Sequence, residues 1–288
     1  MAASIWIGTI FFLLVITLLH HAISLFTKTN TRTAGIVILI LTAILVIYST
    51  INALFIGIDR VEVPIKNLDS EIKIVHISDA HIGPINRAGY LSKVVGKTNS
   101  LNPDIVLITG DLADGMNSFT EDAVQPLNDI KAPVYFTTGN HEQYAGIEKV
   151  ENILKTTKIK ILSNELITEK GIQIIGIDSS MEMSGDHLKE TLKTILINKT
   201  KPSILMYHLP SEFEAASEAG INLQLSGHLH RGQIFPFTIF SRMFFKRIYG
   251  LYQYNNSYMY VSSGSGTWGP PMRLGSRSQI TLITLKKN

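Results

Sequence analysis

Two long apolar stretches begin the chain, and shorter apolar runs recur through the remainder. Residues 4–26 and 34–58 are almost wholly apolar, and each reaches the roughly 20 residues with which a helix crosses the hydrocarbon core of a bilayer. Neither stretch has a polar face, which disfavours a buried hairpin in a soluble protein. The pattern predicts a transmembrane helical hairpin that is closed by the short loop 27–33.

A cleaved signal peptide is the alternative for the first stretch. The stretch lacks a basic start, is long, and is followed almost at once by the second one, which favours a permanent anchor. We therefore predict a multi-pass protein of the cell membrane, with an anchor over residues 1–60 and a folded domain over residues 61–288.

Positive charge near the two stretches bears on the orientation in the membrane. Lys28 and Arg32 lie in the connecting loop, whereas no Lys or Arg precedes the first stretch. The positive-inside tendency then puts the loop in the cytoplasm and the folded domain outside the cell. Arg60, Lys66 and Lys73 follow the second stretch and oppose this orientation, but the balance favours an extracytoplasmic domain.

From about residue 61 the pattern changes to short apolar runs that alternate with amphipathic segments. Such alternation predicts an α/β domain in which helices cover the strands. The runs predict strands at residues 73–78, 105–109, 134–138, 173–177, 203–207, 223–226, 259–262 and 280–285. The amphipathic segments predict helices at residues 88–99, 121–130, 146–156, 185–197 and 211–219.

Side chains that bind metals follow five of the predicted strands, at the point where each strand ends. In order along the chain they are Asp79 and His81, Asp111 and Asp114, Asn140 and His141, His208, and His228 and His230. Ligand sites of open α/β sheets are built at the carboxyl ends of the strands, so these groups are expected to meet at one edge.

The types of these side chains indicate what they bind. The chain has no cysteine, so any metal must be held by nitrogen and oxygen ligands, which suit divalent Mn, Fe, Zn or Co. Even without Asp114 and His141, the seven remaining candidate ligands are too many for one tetrahedral ion, but they suit two divalent metal ions that share a carboxylate. Two metals about 3.5–4 Å apart form the usual clamp for displacement at phosphorus.

The ordered motifs D-x-H, G-D-x-x-D, G-N-H-E, a single His and G-H-x-H over residues 79–230 resemble the calcineurin-like metallophosphoesterase superfamily. The stretches 232–237 (GQIFPF) and 264–275 (GSGTWGPPMRLG) resemble its membrane-anchored bacterial branch. The resemblance covers about residues 72–285. It implies an α/β fold with a two-sheet sandwich flanked by helices, and a catalytic domain over residues 61–288.

The resemblance also implies a role for each matching residue. Asp79, His81 and His230 would hold the first metal, Asn140, His208 and His228 the second, and Asp111 would bridge the two ions. His141 would be the general acid at the leaving group, oriented by Asp114. The alternative for Asp114 is a local backbone turn, and Glu142 is expected to be a first-turn helix carboxylate rather than a catalyst.

Two arginines are candidate substrate-binding residues. Arg231 stands where members of the branch usually have Gly, directly after the last ligand, so that it would contact a substrate phosphate or restrict access. Arg273 is a second candidate phosphate contact, with a structural surface arginine as its alternative.

The expected reaction is hydrolysis of a phosphodiester or pyrophosphate bond. The expected partners are a phosphorylated small molecule or lipid substrate and the lipid bilayer, while the oligomeric state is not predicted. Net charge is only +3 and no dense basic block is present, which disfavours a nucleic-acid partner. The open alternatives are a nucleotide phosphodiesterase or nuclease, a protein phosphatase, and a membrane scaffold that keeps a residual metal site.

Residues 234–254 are aromatic and basic at once. A surface segment packed on the domain is the favoured interpretation of this composition. The alternative is a lip that dips into the membrane interface beside the two anchoring helices.

Overall fold

The computed structural model describes residues 1–115, 118–180 and 185–288. The chain begins with two helices, α1 (Ala2–Ser24) and α2 (Thr31–Ala53). The Asn30 side chain caps α2 by accepting from the backbone N–H groups of Arg32 and Thr33. By length and composition, both helices are capable of crossing a membrane.

The second helix is shorter than the stretch 34–58 that the sequence predicts. It ends at Ala53 because the next residues form strand β1 (Ile56–Ile65), whose backbone pairs in parallel with the last strand of the chain. Residues 56–58 are therefore part of the folded domain.

Two six-stranded sheets form the rest of the domain. The first has the order β1-β12-β2-β3-β4-β5 and the second the order β10-β11-β9-β8-β7-β6. The strands of the first sheet after β1 are β2 (Ile72–Ile77), β3 (Ile105–Thr109), β4 (Val134–Thr137), β5 (Lys160–Ile161) and β12 (Ser278–Lys287). The strands of the second are β6 (Glu165–Glu169), β7 (Ile172–Ile177), β8 (Ser203–Tyr207), β9 (Leu223–Ser226), β10 (Gly250–Tyr254) and β11 (Ser257–Val261).

Helices cover the outer faces of both sheets, and the inner faces pack on each other. The remaining helices are α3 (Ala88–Ser100), α4 (Glu121–Val124), α5 (Asn140–Ala145), α6 (Ile147–Leu154), α7 (His187–Thr194), α8 (Phe213–Ala219) and α9 (Phe237–Phe244). One buried cluster joins residues of both sheets, such as Ile74 and Met206, and a second lies between the first sheet and α3. Each aliphatic side chain that is fully buried there contributes about 1.5–3 kcal/mol. The two-sheet α/β sandwich flanked by helices is confirmed.

Several predicted elements differ from the observed ones. The predicted helix 121–130 is α4 followed by a 3₁₀ turn (Gln125–Asp129), because Pro126 lacks the N–H that would continue an α-helix. Strands β1, β5, β6 and β10 have no counterpart among the predicted strands, and all four lie at or next to the ends of the two sheets.

The hairpin joins the domain at a definite edge. Ile56, at the start of β1, pairs with Ser278, at the start of β12. Strand β12 runs antiparallel to β2, so that its early residue Thr281 pairs with His76, near the end of β2. The chain therefore leaves α2 at the edge where β2 delivers Asp79.

The hairpin and the domain also contact each other directly. The Asn52 side chain donates to the carbonyl oxygens of Arg273 and Ser276 at 2.9 and 3.0 Å. Met272 packs with Phe12 of α1 in a small apolar cluster.

Candidate metal centre

Six of the seven predicted ligands converge at the carboxyl ends of the strands. Three groups have ligand atoms within 4.8 Å of one another: Asp79, His81 and His230; His81, Asp111 and His141; and Asp111, His208 and His228. The groups share His81 and Asp111, so they form one continuous cluster. Each group has the residue types and the spacing to hold a metal ion, and the bridging role of Asp111 stays a prediction.

The backbone is bent to bring these side chains together. Five of the predicted ligands have positive φ angles between 47° and 71°: Asp79, His81, Asp111, His228 and His230. Residues other than glycine rarely adopt this conformation, which costs about 1–3 kcal/mol each and concentrates at functional sites. Gly110, at φ +77°, precedes Asp111, and a Cβ there would lie 2.6 Å from the Gly139 nitrogen. The two strand-end loops therefore approach each other only because this position has no side chain.

Hydrogen bonds fix the orientation of individual ligands. The Nδ1 of His208 donates to the Thr109 carbonyl at 2.8 Å, which leaves Nε2 as the free ring nitrogen, 3.0 Å from an Asp111 carboxylate oxygen. Asp79 accepts from the Ser78 hydroxyl at 2.5 Å and from the His228 backbone N–H at 2.8 Å. Such outer contacts hold a ligand in the tautomer and direction that metal binding requires.

Burial and neighbouring charges shift the pKa values of the titratable side chains in the cluster. Burial disfavours protonation of His208, but the neighbouring Asp111 carboxylate raises the pKa of its imidazole to about 10. Burial tends to raise the pKa of Asp111 as well, yet the charge of His208 holds that pKa well below its ordinary value. Burial also raises the pKa of Asp79. Protons and cations thus compete for the same buried atoms.

The arrangement suits divalent cations. Among the described residues, His208 Nε2 and Asn140 Oδ1 are buried and have no hydrogen-bond partner, although buried polar atoms are normally satisfied. The Nε2 atoms of His81 and His230 lie 3.0 Å apart. Imidazole nitrogens, carboxylates and an amide oxygen are donors that suit a borderline divalent metal. Metal binding would satisfy them.

Comparison with known proteins agrees with this geometry. The family model for the calcineurin-like phosphoesterase matches residues 72–232, which include all seven predicted metal ligands. The chain belongs to the calcineurin-like phosphoesterase family. An uncharacterized metallophosphoesterase of Helicobacter pylori is 34% identical over 224 residues, which are 76% of this chain and 60% of that protein.

A second relative is named as a transmembrane protein. The transmembrane protein with metallophosphoesterase domain of Danio rerio is 36% identical over 270 residues, which are 86% of this chain and 62% of that protein. This chain therefore spans about three fifths of the length of these relatives. A dimetal phosphatase of Danio rerio is similar in structure with a TM-score of 0.44 and 11% identity, over 75% of this chain and 99% of that one.

His141, the predicted general acid of this phosphoesterase family member, is buried beside His81 and Asp111 in the cluster. Its backbone N–H donates to Asp111 at 2.9 Å, and its ring packs edge-on against the His81 ring with the centroids 4.6 Å apart. Burial lowers the pKa of its imidazole. Its Nδ1 lies 3.0 Å from the carbonyl oxygen of Asp114.

The Asp114 carboxylate takes a different position from the predicted one. It lies 3.3 Å from Nδ1 of His81, a predicted metal ligand, whereas the hydrogen bond to His141 comes from the main-chain carbonyl of Asp114. The orienting role of the carboxylate stays a prediction.

Glu142 is a positioning residue that sequence reasoning placed only as a first-turn helix carboxylate. Its carboxylate is fully buried and accepts from the backbone N–H groups of Asp111, Ala113 and Gly139 at 2.9, 2.9 and 2.6 Å. It thereby joins the loop after β3 to the start of α5. Its place three residues after Gly139, the residue before the helix, is the capping-box spacing that would have indicated this role.

The two candidate phosphate-binding arginines lie in different surroundings. The guanidinium of Arg231 stacks over the ring of Tyr249, 4.3 Å from its centroid. Arg273 is completely buried and donates to the carbonyl oxygens of Ser263, Gly266 and His230 at 2.8, 2.6 and 3.1 Å. It also lies 3.2 Å from Nδ1 of His230. Both terminal nitrogens of Arg273 donate to the loop around His230, whereas its Nε is buried without a hydrogen-bond partner. A phosphate contact by this buried side chain stays a prediction.

Proposed function

We propose that this phosphoesterase acts at a membrane and hydrolyses a phosphodiester or pyrophosphate bond in a lipid or lipid-linked substrate. One observation carries the proposal. The candidate metal cluster and the apolar hairpin lie at the same end of the strands of the first sheet, since β1 leaves the hairpin at the end where β2 stops, with β12 between the two strands. A bond that is cleaved at this edge would lie close to the bilayer.

The chemistry divides between bound cations and the residues of the chain. Two divalent cations, when bound, supply the positive charge that activates water and offsets the negative charge of the reacting phosphoryl group. Asp111, whose carboxylate accepts from the His141 backbone N–H, would be the ligand common to the two ions. His141 donates from Nδ1 to the Asp114 carbonyl, which leaves Nε2 to exchange a proton with the departing oxygen.

A substrate screen on the full chain in lipid nanodiscs tests the proposal. The protein would be loaded separately with Mn, Fe, Zn and Co and offered bis-p-nitrophenyl phosphate, p-nitrophenyl phosphate, nucleotides, single-stranded DNA and lipid pyrophosphates. We expect metal-dependent hydrolysis, with lipid pyrophosphates or phosphodiester lipids preferred to the water-soluble substrates. Asp111→Asn is expected to abolish hydrolysis, whereas Asp186→Asn at an exposed position serves as a matched control and retains it.

Each other outcome counts against a stated part of the proposal. Preference for nucleotides or DNA would contradict the lipid substrate and favour the nucleotide phosphodiesterase or nuclease. Stable metal binding with no hydrolysis of any substrate would contradict the enzyme and favour a membrane scaffold.

A further inference from the structure

Helix α9 presents its apolar side to the outside of the molecule. Its five large apolar side chains are each between 47% and 79% exposed: Phe237, Ile239, Phe240, Met243 and Phe244. At about 100° per residue these five positions fill one continuous half of the helix. Thr238 lies on the other half and packs against Gly232 and Gly275. A helix on a water-soluble surface normally has the opposite arrangement.

This outward face is continuous with the hairpin. The ring of Phe237 stacks on the ring of Phe11 in α1, with centroids 5.3 Å apart and planes at 16°. Ile234, just before α9, packs with Phe12 of α1. Phe11 and Phe12 lie within the stretch of α1 that is apolar enough to cross a membrane. If lipid surrounds α1 around Phe11 and Phe12, the same lipid also contacts α9.

Positive charge lies at the end of α9. Arg242 and Lys246 line a hollow of about 390 Å³ together with Tyr249 and Tyr252. Both basic side chains are exposed, and no described residue places a carboxylate within 4 Å of either of them. Basic and Tyr side chains at the border of an apolar surface are typical of the headgroup level of a membrane.

We infer that α9 is embedded in the lipid leaflet beside α1, with its apolar half among acyl chains and with Arg242 and Lys246 at the phosphates of anionic phospholipids. The inference rests on the membrane location in the proposed function, but not on any catalytic activity. The metal ligand His230 lies only seven residues before Phe237 in the chain. A helix held at this depth would present the metal centre to phosphates at the leaflet surface.

The absence of cysteine from the chain permits a direct measurement of depth. A single cysteine at Phe244→Cys would be labelled with an environment-sensitive fluorophore in the full chain, reconstituted in liposomes with lipids spin-labelled along the acyl chain. We expect a blue-shifted emission and strong quenching by these lipids. Met243→Cys is a second position on the same face should the first variant fold poorly.

Leu196→Cys is the matched control, because Leu196 is the most exposed large apolar residue of the described chain and lies between α7 and β8, away from the hairpin. Its label should show little quenching. Equal and weak quenching at residues 244, 243 and 196 would overturn the inference, as would emission at residue 244 typical of water.

A second arm tests the charges. With label at residue 244, a spin-labelled anionic lipid should quench more strongly than its zwitterionic counterpart, and the Arg242→Gln/Lys246→Gln variant should reduce this ratio towards one. A ratio of one in the parent protein would contradict the role of the two basic residues. Hydrolysis of bis-p-nitrophenyl phosphate, measured on the same samples, reports separately on the proposed function. Deep labels without hydrolysis would count against the enzyme and not against this inference.

Discussion

The imidazole of His141 is bound by the main chain of Asp114, with Nδ1 3.0 Å from the carbonyl oxygen. A carbonyl oxygen only accepts, so Nδ1 carries the proton and Nε2 is left for exchange with a substrate. The Asp114 carboxylate lies 3.3 Å from Nδ1 of His81. One residue thus serves two neighbours through different atoms.

Replacement of His141 by Ala is expected to lower turnover by about 10²–10⁴-fold, the usual contribution of a positioned proton donor. Metal content should stay unchanged if His141 only transfers a proton, because the remaining predicted ligands are intact. Turnover at saturating metal and elemental analysis of the same preparation check both statements. Normal hydrolysis by a variant that has lost metal would contradict the role.

The Asp114 carboxylate should act on metal binding rather than on proton transfer. Because it lies 3.3 Å from Nδ1 of His81, Asp114→Ala is expected to weaken metal affinity by about 10–100-fold, as removal of an outer contact to a ligand usually does. At saturating metal, turnover should fall much less than in His141→Ala. Titration of the metal-free protein measures the affinity, and Asp114→Asn, which keeps an acceptor but no charge, should lie between parent and Ala variant. A loss of turnover as large as that of His141→Ala, at unchanged affinity, would show instead that the carboxylate serves His141.

Glu142 should matter for both stability and metal binding. In the parent protein, backbone N–H groups donate to both carboxylate oxygens of Glu142. Glu142→Gln puts an NH₂ group, which cannot accept, in place of one of these oxygens, so we expect a loss of about 2–3 kcal/mol in the free energy of unfolding. Metal affinity should fall as well, since one of the three N–H groups belongs to Asp111. Chemical denaturation in detergent and metal titration measure these effects.

Glu148→Gln is the matched control for Glu142. Glu148 is also an acidic residue in the first turn of a helix, but it is exposed. The control should leave stability and affinity nearly unchanged. Equal effects of the two substitutions would mean that Glu142 acts only as a first-turn charge.

The ligand positions were predictable from the sequence because each follows a buried strand directly. Asp79 follows β2 and His208 follows β8, so a short apolar run and its ending define where the side chain goes. The parallel order of the strands then brings the endings to one edge. At these positions the apolar run in the sequence ends where the strand ends in the structure, so the side chains of the motif lie where the sequence predicts them.

The surroundings of the ligands depend on contacts that sequence patterns do not contain. Arg273 contacts His230, which lies 43 residues earlier in the chain. From the sequence, an arginine in a Gly- and Pro-rich loop is expected at the surface. The buried position is possible because surrounding backbone carbonyl groups accept hydrogen bonds from the guanidinium. The same holds for residues 234–254, where the first half is an exposed apolar helix and the second half is strand β10, at the edge of the second sheet. Composition alone could not separate these two halves.

Asp59 provides a test by pH that does not involve the metal ligands. Burial tends to raise the pKa of this β1 carboxylate, but the Tyr249 hydroxyl at 2.5 Å and Arg277 at 2.8 Å lower it below its ordinary value of 3.8. A carboxyl group whose pKa is lower in the folded state stabilises that state above its unfolded pKa, and this contribution is lost as the pH falls through the folded pKa. The melting temperature of the parent protein in detergent should therefore decline below about pH 4. In Asp59→Asn it should be lower at neutral pH and should decline less steeply on acidification, whereas Asp69→Asn at an exposed position should follow the parent. Parallel curves for the parent and Asp59→Asn would show that the hydrogen bonds of Asp59 do not favour its charged form.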